Sequence, residues 1–99
     1  MEKYATKEAT IKVLESLGFI RVNNESCFFD SPKECSRYHI PVVQAYIYQC
    51  SNEYWCVELD GEHVFKAPCV WNGPKADWDR SDTLQEFKQY LDDHYPGWH

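Results

Sequence analysis

The sequence predicts an α+β domain: an antiparallel sheet of about four to five strands with an N-terminal and a C-terminal helix, in the order α-β-β-β-β-β-α. Three observations predict it. Apolar residues recur at helical spacing near both ends of the chain, between recognisable caps. The middle is a series of short β-branched and aromatic runs broken by turn residues. Finally, the pair Asp60-Gly61 suits a two-residue hairpin turn, and that turn brings the apolar residues of neighbouring strands onto one face.

The first helix is read from "TKEATIKVLESLGF". Thr6 stands at the N-cap, Glu8 lies in the first turn where the helix dipole favours a carboxylate, and Gly18 supplies the left-handed stop. Ala9, Val13, Leu14 and Leu17 form its apolar stripe. Next, Phe19 to Val22 and Cys27 to Phe29 flank the polar turn "NNES" and read as a hairpin, and "KECSRYH" reads as a loop. From Val42 to Tyr48 a β-branched and aromatic run suits a strand.

Two turns fix the register of the strands that follow. The Asp60-Gly61 turn sets Leu59 opposite Glu62, Glu58 opposite His63, Val57 opposite Val64 and Cys56 opposite Phe65. A three-residue loop, Ser51-Asn52-Glu53, sets Ile47 opposite Val57, Ala45 opposite Leu59, Tyr48 opposite Cys56 and Tyr46 opposite Glu58. Only that loop length gathers Val43, Ala45, Ile47, Trp55, Val57, Leu59 and Val64 on one core face, because a slip of one residue would turn every side chain over. The opposite face then carries Tyr46, Tyr48, Cys50, Tyr54, Cys56, Glu58, His63 and Phe65, which is far more aromatic than a sheet face that merely meets water.

The last helix lies in "SDTLQEFKQYLDDHYPGW", with Ser81 or Asp82 as N-cap, Leu84, Phe87 and Leu91 as its stripe, and Pro96-Gly97 as its stop. Before it, "VWNGPKADWDRSD" is a turn-rich loop. Trp71, Trp78 and Trp98 lie in or beside loops, where they either pack under a helix or offer contact area. No repeat or linker interrupts residues 1–99, so they read as a single domain.

Charge and cysteine usage narrow the function. The chain has 16 acidic and 10 basic residues, a formal net charge of −6, and its basic residues are scattered singly. A phosphate-backbone binder needs a clustered cationic face, so direct nucleic-acid binding is disfavoured and a protein partner with a basic surface fits better. Five cysteines are an odd number, and no apolar run approaches the roughly 20 residues that span a bilayer. The expectation is a cytoplasmic chain with free thiols and no membrane segment.

Candidate chemistries each meet an objection. Zinc would want close Cys/His pairs, but the spacings here are Cys35-x₃-His39, Cys50-x₅-Cys56 and His63-x₅-Cys69. A cysteine- or metal-dependent enzyme centred on Cys56, His63 and Glu58 is the alternative reading, with Glu58 orienting the imidazole as base. Cys56 and Glu58, however, stand two residues apart on one strand, about 7 Å, and a Glu/His cross-strand pair is an ordinary surface feature. "DWDRSDTLQEFK" resembles the start of a calcium loop, yet Asp82 stands where glycine is needed and Lys88 where a bidentate glutamate is needed. Four glycines, at 18, 61, 73 and 97, build no phosphate-binding loop. No cofactor is expected.

What remains is a surface: Tyr46, Tyr48, Glu58, His63 and Phe65 on the sheet, and Asp77, Trp78, Asp79, Asp82 and Glu86 at an acidic loop-to-helix corner. In size, acidity and want of a catalytic signature, the whole chain resembles the small inhibitor proteins that phages and mobile elements direct against host defence systems, anti-CRISPR proteins among them. No motif carries that resemblance. It implies a non-enzymatic inhibitor of a partner protein. The net charge of −6 and the want of a catalytic set add the expectation that its carboxylates occupy the place of phosphates on a nucleic-acid-binding surface. A third reading is an adaptor that homodimerises through the aromatic face.

Overall fold

A computed structural model describes residues 6–49, 55–60, 62–65 and 81–99, with the backbone alone for Cys56, for 62–65 and for 81–83. Helix α1 runs Lys7–Ser16, and its ends follow the expected chemistry. Thr6 Oγ1 accepts the amide of Ala9 at 3.1 Å. At the other end, Phe19 N–H donates to the carbonyl of Leu14 and Gly18 N–H to that of Glu15, each at 3.0 Å, which is the paired pattern of a left-handed helix stop. Gly18 has φ +95°, and a Cβ there would meet Pro32 Cγ at 3.0 Å, so both backbone and space call for glycine.

The expected stripe needs one correction. Thr10 and Leu14 are the fully buried residues of α1, whereas Ala9, Val13 and Leu17 pack only partly against the core. A threonine tolerates this position because its hydroxyl donates to the carbonyl of Thr6 at 2.8 Å, so no polar group is left unsatisfied.

Among the described residues, seven strands follow: β1 Ile20–Arg21, β2 Phe28–Asp30, β3 Glu34–Cys35, β4 Ile40–Pro41, β5 Gln44–Gln49, β6 Trp55–Leu59 and β7 Glu62–Phe65. Helix α2, Ser81–His94, closes the chain. Five strands form one sheet in the order β1-β2-β5-β6-β7, every described pairing antiparallel, and β3 and β4 form a separate small hairpin. The α+β class, the helix at each end and the antiparallel sheet match the sequence reading. The segment expected to be a plain loop is instead that hairpin, and Ser31 explains it. Its buried hydroxyl donates to the carbonyl of Lys33 at 2.7 Å and accepts the amides of Val42 at 2.9 Å and Val43 at 3.2 Å, tying both strands at their base.

The β5–β6 register is the expected one throughout: Ala45 opposite Leu59, Tyr46 opposite Glu58, Ile47 opposite Val57 and Tyr48 opposite Cys56. The β6–β7 register is not. It begins as expected with Leu59 opposite Glu62 but reaches Val57 opposite Phe65, so residues 63 and 64 together stand against Glu58. One extra residue on β7 makes a bulge, and the expected one-to-one oppositions of Glu58 with His63, Val57 with Val64 and Cys56 with Phe65 are lost.

Both helices pack on the same face of the sheet. Leu14 from α1, Phe87 and Leu91 from α2, and Phe29, Val43, Ala45, Ile47, Val57 and Leu59 from the sheet and its approach form one buried cluster. Burying a side chain of this kind is worth roughly 1.5–3 kcal/mol. Trp98 closes the cluster: it is buried, stacks on Phe19 with ring centroids 5.9 Å apart, and donates Nε1–H to Asp92 Oδ1 at 2.8 Å. Of the three loop tryptophans this one is a packing residue, and Trp71 and Trp78 lie outside the described residues.

Candidate functional site

Alternation along a strand sends neighbouring side chains to opposite faces, and residues directly paired across strands share one. Phe29, Ala45, Val57 and Leu59 are buried beneath the helices, so Phe28, Tyr46 and Glu58, which pair across β2, β5 and β6, lie on the outer face. Val22 extends that row, since its amide donates to the carbonyl of Phe28 at 2.9 Å. A second row runs beside it: Ile20 pairs with Asp30, Asp30 with Gln44, and Asp60 N–H donates to the carbonyl of Gln44 at 2.9 Å.

The two rows form a graded surface. At the β1 side it is aliphatic, with Ile20 59% and Val22 50% exposed; in the middle it is aromatic, with Phe28 52% exposed; towards β6 it carries carboxylates. Phe28 stacks on Tyr46 at 4.6 Å between centroids, and Tyr46 on Tyr48 at 6.1 Å, giving a three-ring ladder across β2 and β5. These large apolar residues are gathered on one face, unlike the singly scattered ones that are ordinary on any protein surface.

Polar bonds hold the carboxylates in place. Asp60 sits at φ 53°, a left-handed conformation that Asp and Asn tolerate, and its Oδ1 accepts the amide of Gln44 at 3.0 Å. Asp30 Oδ1 accepts from the Gln44 side-chain amide at 3.2 Å. A groove of about 380 Å³ lies among Phe28, Gln44, Tyr46, Glu58 and Asp60. A neighbouring groove of about 340 Å³ joins Ile20 and Asp30 to Lys33, Glu34 and His39, so the small hairpin walls one end of the outer face.

The residues singled out from sequence divide accordingly. Tyr46, Tyr48 and Glu58 share the outer face as expected, each half-buried. Glu86 is exposed on α2, and Asp82 lies in the first turn of that helix. The side chains of His63, Phe65 and Asp82, and all of Asp77, Trp78 and Asp79, lie outside the described residues. The same holds for the side chain of Cys56 in the alternative enzyme reading, and in the bulge Glu58 stands against residues 63 and 64 together instead of against His63 alone. Among the described residues, no group of three His, Cys, Asp or Glu side chains could hold a metal ion, and no helix is long and apolar enough to cross a membrane.

Sequence reasoning missed Ile20, Val22, Phe28, Asp30 and Asp60 as parts of this face. A signal existed for Phe28, because an inward Phe29 requires its neighbour to point outward. Cys35 is a free thiol exposed on β3, and Cys27 is a free, half-buried one. Compared with protein-family models, with curated proteins and with solved structures, the chain matches none.

Proposed function

We propose that this chain is a non-enzymatic protein-interaction module that engages a basic surface of a partner protein through the outer face of its sheet. One observation carries the reading: both helices pack on the inner face, while Ile20, Val22 and Phe28 lie at least half exposed beside Tyr46 on the other. Leaving an aliphatic and aromatic surface in water gains the free protein nothing, whereas aromatic area of this kind anchors protein interfaces. The net charge of −6 and the carboxylates at the β6 side favour a cationic partner and speed the encounter through long-range attraction.

The inhibitor form of the proposal has the protein block a nucleic-acid-binding surface, with Asp77, Asp79, Asp82 and Glu86 presenting carboxylates where phosphates would sit. It is supported by the charge balance and by the resemblance in character to anti-defence proteins of phages and mobile elements. The whole reading is tested by affinity capture from a lysate of the source organism at low and high salt, with wild type and a folded Phe28→Ala/Tyr46→Ala variant. The expected result is one enriched protein, depleted at high salt and lost with the variant. Equal capture by both would remove the outer face from the account, and capture indifferent to salt and to charge reversal at Asp82 and Glu86 would remove the mimicry.

A further inference from the structure

The geometry points to an arginine as the group the outer face recognises: an extended segment of a partner protein that sets an arginine, flanked by apolar residues, across Phe28, Tyr46 and Asp60. The inference rests on the reading of this face as a binding surface and specifies its chemistry.

Three features converge on a planar cation. The Phe28–Tyr46 pair, stacked at 4.6 Å, offers an aromatic surface beside the 380 Å³ groove. Asp60 lines that groove, and Asp30 stands two strands away in the same row, with Gln44 bonded to both. Each carboxylate spends one oxygen on Gln44 and keeps further acceptor capacity. Among the described residues, no cationic side chain pairs with Asp30 or Asp60.

The described basic side chains nearby, Lys33 in the groove that Asp30 also lines included, form no ion pair with either carboxylate. Arg21 sits on the opposite face, over Phe29 and beside Glu15. His39 is paired with Glu34 at 3.6 Å, and it and Lys33 line the neighbouring groove. A guanidinium satisfies both halves of this site at once, because its plane stacks on an aromatic ring while its edge forms two parallel bonds to a carboxylate. An ammonium could serve the charge but not the stacking geometry. Ile20 and Val22, on the far side of Phe28, are the natural seats for the apolar neighbours of such an arginine.

The test uses a defined probe. The peptide acetyl-Leu-Arg-Leu-amide and its counterpart with citrulline, a neutral isostere, are titrated into ¹⁵N-labelled full-length protein and followed by amide chemical shifts. Wild type is compared with Asp30→Asn/Asp60→Asn. Asn keeps a side-chain oxygen for the Gln44 amide and suits the left-handed φ of residue 60, so the double variant folds and loses only charge. The arginine peptide should shift the amides of Phe28, Gln44, Tyr46 and Asp60 in wild type. Citrulline, or the double variant, should weaken that binding about tenfold. Equal shifts from both peptides at these amides would overturn the arginine while leaving the binding surface intact. Shifts elsewhere, or none from either peptide, would overturn the arginine and leave the surface itself to be decided by capture of the partner.

Discussion

The two faces of this sheet are built from the same strands by residues one position apart, yet they have opposite fates. On β5, Ala45 and Ile47 vanish under two helices, while Gln44, Tyr46 and Tyr48 between and beside them look outward. Apart from Phe29 and the half-buried Trp55, the inner set is aliphatic and of modest size, suited to filling space against Leu14, Phe87 and Leu91. The outer set is aromatic, aliphatic at one margin and carboxylate-bearing at the other. A face intended only for water would carry short polar or charged residues along its length. If the outer face binds as proposed, strand periodicity segregates stability from recognition, so that each can be disturbed with little effect on the other.

That segregation can be broken first from the inside. Phe87→Ala removes a fully buried ring from the shared cluster and should cost about 3–5 kcal/mol, read as a lower denaturation midpoint in urea. Gly18→Ala forces a side chain into a left-handed backbone 3.0 Å from Pro32, and a loss of about 1–3 kcal/mol is expected by the same measurement. Ser31→Ala leaves the Val43 amide without its side-chain acceptor and unties the small hairpin. The expected cost is about 1–3 kcal/mol, with faster amide exchange confined to residues 34–41. The smallest effect belongs to the outer face: Phe28→Ala should lower stability by only about 1 kcal/mol, most of it the lost stacking on Tyr46, and yet abolish partner capture. A Phe28→Ala variant as unstable as Phe87→Ala would erase the distinction between the faces.

The sequence made the inner face readable and the outer one only in part. The β5–β6 register was legible because a single loop length aligned every aliphatic residue, and a buried face tolerates no slip. The β6–β7 bulge was not, since the turn rule for Asp60-Gly61 fixes the first pair, Leu59 with Glu62, and is silent on an extra residue beyond it. The Val22–Phe28–Tyr46 row depends on β2 meeting β5 across the intervening hairpin, a pairing no local pattern announces. Thr10 was passed over for a related reason: its burial is permitted by a bond to the Thr6 carbonyl that composition does not reveal. The helix ends, by contrast, were legible at single residues, because Thr6 and Gly18 act through their own side chain or the lack of one.

The central claim, that the outer face and not the α1 side meets a partner, is tested most directly by site-specific photocrosslinking in cells of the source organism. A benzophenone amino acid is placed at Phe28 in one protein and, as a control on the opposite side, at the exposed Lys12 of α1 in another. The account predicts one discrete adduct from position 28 and none from position 12. An adduct from position 12 alone, or the same adducts from both, would contradict it.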